Sequence, residues 1–309
     1  MHGWDGRYTQ RMESSPIGIF DSGLGGLTVA REIARALPGE SLLYFGDTAR
    51  CPYGPRDRDE VRGFVEQIGR WLEARSVKLM VVACNTATAA GLDLAQQRFG
   101  VPVIGVVEPG ARAAVMATLN RRVGVIGTVG TVDSGAYSRA VRALDAGVTV
   151  FSAATPRFVD IVEEGLRRDA GKVEDLIADS SEVFIRPSFY ELARDYLDPL
   201  RRNGVDTLVL GCTHFPLLSA AIQQVMGVRV KIISSAEETA REAAEVLARR
   251  DELARGEGPP CHTFVTTGDP EEFRRLGSRV FGADLGPVGS VTLEEVACGS
   301  WETRGDECA

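Results

Sequence analysis

Three histidines, His2, His214 and His262, are all that the chain contains, and no Cys-x-x-Cys pair occurs. A structural zinc site needs several closely spaced thiolate or imidazole ligands, so this composition argues against one, and no metal is expected. No apolar run approaches the ~18 residues of a membrane span. The chain also lacks a run of five basic residues, and its net charge is −8. Phosphate backbones are bound by concentrated Lys and Arg, so nucleic acid is not an expected direct partner, and neither is a membrane. The opening stretch MHGWDGRYTQRMESS has no apolar core of the kind a secretory signal carries. It reads as a loose extension with Met12 as a candidate start, and the cytoplasm is the expected compartment. In that compartment the six cysteines do not read as a disulfide framework.

The glycine-rich segments also lack what nucleotide sites require. Asp21-Ser22-Gly23-Leu24-Gly25-Gly26 has no Lys-Ser/Thr of a phosphate loop. Gly124-x-x-Gly127-x-x-Gly130 is not followed by an acidic strand end ~20 residues on, which excludes a nicotinamide cofactor. No lysine stands in a pyridoxal phosphate motif. No cofactor is therefore expected.

What is present is a chain of 309 residues, 44% hydrophobic, enough for a large core and about two domains. Short apolar runs at 17–20, 42–45, 79–83 and 101–106 read as strands. Between them Val61, Phe64, Val65, Ile68, Trp71 and Leu72 recur at helical spacing. Strand–helix alternation with nearly continuous apolar strands predicts an α/β fold with mostly parallel sheets. The pattern restarts with a strand at 122–127, a helix at 131–144, a strand at 148–151, a helix at 186–202 and a strand at 207–210. Val123-Gly124-Val125-Ile126-Gly127-Thr128 resembles Ile17-Gly18-Ile19-Phe20-Asp21-Ser22, 106 residues earlier. The expectation is two similar, pseudo-symmetric α/β lobes, the second enlarged within 155–190. Residues 16–108 plus 225–297 would form the first lobe and 109–224 the second, with 228–233 and 236–250 returning the chain to the first. Residues 251–261 read as a loop, 262–297 as a short αβ tail, and 1–15 and 298–309 as flexible ends.

Two strands end in matched cysteine loops, Cys84-Asn85-Thr86 and Cys212-Thr213-His214, 128 residues apart. Ligands of such sheets sit at the carboxyl ends of strands, so a cleft between the lobes is the expected site. Taken singly, either loop reads as a buried structural cysteine beside a helix cap. Matched loops on duplicated lobes favour a pair of acid/base groups, one for each face of a carbon centre. A helix start at Asn85 or Thr86 would lower the thiol pKa of Cys84 through the helix dipole. His214 would polarise Cys212 or receive its proton. The Asp21–Gly26 turn would let backbone amides hold a small carboxylate, or be no more than a tight turn. Tyr53 would line a pocket or a surface turn, and Glu163-Glu164-Gly165 has the plain reading of a helix end. A hydrolase using one cysteine would leave the other loop without a role. A binding protein with silent thiols would leave both without one.

Seven ordered segments resemble the glutamate racemases of the aspartate/glutamate racemase superfamily: IGIFDSGLGGLTV, YFGDTARCPYG, VVACNTATA, PVIGVVEPGARAA, VGVIGTVGTVDSGAY, FVDIVEEG and LVLGCTHFPLL. The resemblance implies cofactor-independent interconversion of L- and D-glutamate, which supplies D-glutamate for peptidoglycan. It implies that Cys84 and Cys212 are the acid/base thiols, the first acting on the D enantiomer and the second on the L. It makes Asp21, Glu163 and His214 the groups that assist them. Asp21, Ser22, Tyr53, Gly54, Asn85, Thr86, Thr128, Thr213 and His214 match substrate-contacting positions. A homodimer is implied, and DNA gyrase is a candidate partner because some members of the family bind it. Thr155 and Asp160 depart from the pattern, standing where cysteine and proline are usual. Aspartate or hydantoin racemisation by the same thiols is the rival within enzymes.

Overall fold

The computed structural model describes residues 15–168, 187–255 and 258–299. The two predicted ends lie mostly outside them. Four strands, β1 Ile17–Asp21, β2 Leu42–Gly46, β3 Leu79–Val82 and β4 Val103–Gly105, are wound in the order β2-β1-β3-β4. Four more, β5 Arg122–Gly127, β6 Thr149–Ala154, β7 Thr207–Gly211 and β8 Lys231–Ser234, repeat that winding as β6-β5-β7-β8. The last two, β9 His262–Thr266 and β10 Val288–Ser290, extend the first sheet beyond β2. Every strand pairing among the described residues is parallel. All residues of β1, β2, β3 and β7 are buried, as strands covered on both faces must be. This is the duplicated α/β architecture expected from the sequence, with the αβ tail built onto the edge of the first sheet.

Helices carry the chain between strands. They are α1 Leu27–Ala36, α2 Arg58–Glu73, α3 Asn85–Arg98, α4 Val107–Ala117, α5 Val129–Asp133, α6 Ala136–Leu144, α7 Arg157–Arg168, α8 Pro187–Arg202, α9 Ser219–Met226, α10 Ser235–Arg250, α11 Pro270–Phe281 and α12 Leu293–Cys298. In α2 the Asp57 side chain accepts from the Asp59 N–H at 2.8 Å, and Asp59 and Glu60 favour the positive helix start. The same helix buries Val61, Val65, Ile68, Trp71 and Leu72 against the first sheet. Trp71 meets Phe45 edge-on at 4.9 Å, a pairing that adds roughly 0.5–1.5 kcal/mol to the area term. One continuous apolar cluster includes Ile17 and Ile19 of the first sheet and Leu208 and Leu210 of the second.

Several sequence expectations are corrected. The helix predicted at 131–144 is two helices, broken where Gly135 takes φ +63°, a conformation that glycine adopts without a Cβ clash. The strand at 101–106 shortens to β4, because Pro102 has no N–H to give a ladder. The segment at 228–233 does not start the return to the first lobe. Its strand β8 pairs with β7, Thr207 opposite Lys231, giving the second sheet the same fourth strand as the first. The return is made by α10, which packs against both α1 and α4. Cys51, Cys84, Cys212 and Cys298 are free thiols.

Candidate active site

The two β1–β3 and β5–β7 pairs end level with each other. Phe20 lies opposite Val82, and Gly127 opposite Gly211. The residues that follow, Ser22, Cys84, Thr128 and Cys212, therefore emerge together at the carboxyl edges of both sheets. They line a cavity of about 340 Å³ of empty space, its open mouth included. Tyr53, Gly54, Asn85 and Thr86 complete the first-sheet wall, and Thr213 and His214 the second. Ten of the twelve site residues singled out in the sequence thus line one cavity.

Asp21 and Glu163 do not line it. Asp21 is wholly buried behind the wall, where its carboxylate accepts from the Gly23 N–H at 3.1 Å and from Thr213 Oγ1 at 3.4 Å. Burial raises its pKa, opposed by His214 and the N–H groups of Gly26 and Gly23. Glu163, on α7, places Oε1 3.4 Å from His214 Nε2, an ion-pair contact without the alignment of a hydrogen bond. Burial pushes its carboxyl up, but His214 and Arg167 outweigh this and its pKa falls below the usual value. Burial alone would lower His214. Cys212, with Sγ 3.8 Å from Nδ1, and Glu163 together hold it up at about 10 instead.

Cys84 is itself the cap of α3, its Sγ accepting from the Ala87 N–H at 3.5 Å. The dipole reading from sequence is overturned here. Burial, followed by the charge of Asp21, pushes the thiol up to about 12, and the Ala87 N–H recovers only part of that. Ser22 Oγ lies 3.8 Å from the same sulfur. The Tyr53 hydroxyl donates to Asp47, which also holds Arg50 at 2.6 Å.

The glycine turn does steric work. A Cβ on Gly25 would sit 2.4 Å from Thr213 Oγ1 and 2.7 Å from His214 Nδ1. One on Gly26 would sit 2.4 Å from the Asp21 Cβ. Gly26 has φ −62°, open to any residue, so close approach rather than backbone freedom requires glycine there. The turn thereby seats the first sheet against the Cys212 loop, and Thr28 Oγ1 adds a hydrogen bond to the Thr213 carbonyl at 3.1 Å. Across the mouth Thr86 Oγ1 lies 2.9 Å from Thr128 Oγ1, and the Gly130 N–H donates to the Gly54 carbonyl at 3.0 Å.

Cys51, Pro52 and Val159 also line the cavity and were not singled out in the sequence. Cys51 and Pro52 sit inside the quoted YFGDTARCPYG segment, the one signal that pointed to them. Among the described residues no group of three or more His, Cys, Asp or Glu is placed to hold a metal ion, and no helix is long and apolar enough to cross a membrane.

Comparison with known proteins agrees with this geometry. A glutamate racemase of Bacillus cereus is 45% identical over 279 residues, covering 90% of this chain and 97% of its own length. The crystal structure of glutamate racemase isoform RacE1 from Bacillus anthracis superposes with a TM-score of 0.82 at 43% identity, covering 91% of this chain and 98% of that one. That of a Francisella tularensis glutamate racemase in complex with D-glutamate gives 0.81 at 29% identity, covering 92% and 99%. Residues 17–243 match the Asp/Glu/Hydantoin racemase family, and with two parallel sheets presenting paired thiols to one cavity, the chain belongs to that family.

Proposed function

We propose that this protein is a glutamate racemase that interconverts L- and D-glutamate and supplies the D enantiomer for peptidoglycan. The observation that carries the reading is the pair of thiols, Cys84 and Cys212, lining one cavity from two different sheets. Inversion at Cα requires a base on one face and an acid on the other. Here one cysteine, as thiolate, removes the Cα proton, and the other, as thiol, delivers a proton to the opposite face. The C–H bonding pair stays on carbon and is spread into the adjacent carboxylate until the second proton arrives. The pKa of Cys84, near 12, suits it to give a proton at rest. His214, with Nδ1 3.8 Å from Cys212 Sγ and Nε2 3.4 Å from Glu163 Oε1, is placed to assist that sulfur as the partner base. Cys212 then acts on the L enantiomer and Cys84 on the D, with roles reversed in the return direction. Asp21 works through the charge it places near Cys84 and by fixing Thr213.

The substrate carboxylates are assigned to the hydroxyls and amides of Ser22, Asn85, Thr86, Thr128 and Thr213, with backbone N–H groups, the Gly54 segment and Tyr53 shaping the wall. The solved complex of a relative with D-glutamate supports this substrate class. The same reading carries a cytoplasmic site of action and a homodimer. DNA gyrase as a partner rests on the resemblance alone.

The test is circular dichroism of D-glutamate incubated with the protein in deuterated buffer, with Cα exchange read by NMR and aspartate run alongside. Loss of optical activity with deuterium uptake is expected for glutamate. Cys84→Ala and Cys212→Ala should each lower racemisation on the order of 10²- to 10⁴-fold. Near-normal turnover by either variant, or turnover of aspartate alone, would sink the reading.

A further inference from the structure

Tyr137 has no part in the chemistry above, yet it is 2% exposed and reaches the cavity wall from the opposite lobe. It stands in the first turn of α6, behind the second sheet, with its ring edge under Gly211, where a Cβ would lie 3.1 Å from Cε2. Its hydroxyl donates to Asn85 Oδ1 at 2.7 Å, and Asn85 belongs to α3 of the first lobe. The Ser235 side chain, at the start of α10, hydrogen-bonds the same phenol. Gly110 leaves room for the junction, since a Cβ there would crowd Ser235 Cβ at 3.2 Å and the phenol oxygen at 3.3 Å. Four helices therefore converge on one hydroxyl.

The direction of this chain matters. With Ser235 donating to the phenol oxygen, the phenol proton goes to Asn85, and the amide end it meets is the acceptor Oδ1. The other end, Nδ2, is buried and has no hydrogen-bond partner among the described residues, and Asn85 lines the cavity. A buried amide N–H without an acceptor is costly, so the site is built to receive one. A carboxylate oxygen is the acceptor that the cavity's substrate would bring. An Asn amide that flipped would turn Oδ1 towards that carboxylate and repel it.

We propose that Tyr137 is a positioning residue that locks the Asn85 amide from across the lobes, so that Nδ2 faces the cavity and binds a substrate carboxylate. This rests on the glutamate reading given above. It also ties binding to lobe placement, because the hydrogen bond joins α6 of one lobe to α3 of the other.

Tyr137→Phe removes only the hydroxyl and keeps the buried ring. Steady-state racemisation is measured with both enantiomers, and wild-type turnover of glutamate comes first, since its absence would overturn the functional reading and this inference with it. KM is expected to rise about tenfold for L- and D-glutamate alike, with kcat within about twofold, because a charge-assisted contact to the ground-state carboxylate is weakened. Enantiomers have equal free energy in water, so kcat/KM must fall by the same factor in both directions, which checks the data internally. In an Asn85→Ala background, Tyr137→Phe should change nothing further. Unchanged KM in the single variant, or full independent effects in the double variant, would overturn the proposal. Lower kcat at unchanged KM would mark a structural role only and count against it equally. Should Tyr137→Phe not fold, Ser235→Ala carries the test: it frees the phenol to accept from a flipped amide, so a raised KM supports the lock and an unchanged KM refutes it.

Discussion

Gly25→Ala would test how tightly the catalytic loop is seated. The added Cβ would lie 2.4 Å from Thr213 Oγ1, 2.7 Å from His214 Nδ1 and 2.8 Å from His214 Cε1, where ordinary contact begins at 3.4 Å. Neither neighbour is a flexible chain end. Thr213 hydrogen-bonds Asp21, and His214 is 3% exposed between Cys212 and Glu163. Relief therefore requires the loop and the glycine turn to part by about 1 Å, which shifts Cys212 with its imidazole. A displacement of that size costs on the order of 10²-fold in rate when reacting atoms must be aligned. Overpacking adds roughly 1–3 kcal/mol of destabilisation. The assay is kcat and KM in both directions, beside a urea unfolding curve at the same temperature. Expected is a loss of about a hundredfold in kcat/KM from protein that remains folded at the assay temperature. Activity within about threefold of wild type would refute the claim that this glycine is there to let the lobes approach.

Gly63 offers the opposite case. It lies inside α2, and a Cβ added there would meet nothing within 4 Å, so Gly63→Ala should stabilise the fold by roughly 0.5–1 kcal/mol without touching activity. A lowered unfolding midpoint would contradict that. His214→Asn probes the imidazole. A histidine raised from 6.5 to about 10 in the fold contributes stability that is fully present below about 6.5 and disappears as pH rises through 10. The difference in melting temperature between wild type and variant should therefore be largest near pH 6 and shrink towards pH 10. A difference that grew over that range would show that the ring is buried neutral.

Much of this site was legible because its signals are local. Continuous apolar runs ending in Asp21-Ser22, Cys84-Asn85 and Cys212-Thr213 mark buried strands that stop at polar loops, and the sheet geometry then brings such ends together. What was not legible depends on partners distant in sequence. Whether residues 231–234 join one sheet or the other is decided by the free edge of β7, not by their own composition. The thiol of Cys84 looked dipole-activated from its place before a helix. Only the burial of the loop and the neighbouring Asp21 reverse that direction. The glycines of the 21–26 turn suggested an anion cradle, but their contacts are Thr213, His214 and Asp21. Tyr137 could be matched to a motif, but its bond to Asn85 spans fifty-two residues and two lobes.

A reaction that exchanges mirror images invites a mirror-symmetric site, and duplicated sheets would seem to provide one. The neighbours of the two thiols are nevertheless unlike. Cys84 has a helix N–H, the Ser22 hydroxyl and a buried carboxylate nearby; Cys212 has an imidazole backed by a second carboxylate. Equal energies of the enantiomers constrain only the ratio of forward to reverse kcat/KM, so the thiols need not match. On the two-thiol proposal each turnover also leaves the pair in the opposite protonation state, with Cys84 anionic and Cys212 protonated once L-glutamate has become D. The next L-glutamate requires the proton to move back. On the proposed mechanism the difference in neighbours serves that return, because burial and the charge of Asp21 disfavour a Cys84 thiolate, while His214 stands 3.8 Å from Cys212 Sγ and can exchange a proton with it. Inversion of D-glutamate starts from the disfavoured state instead. The asymmetry then predicts that the enzyme rests in the form ready for the L enantiomer, which is the direction that supplies D-glutamate.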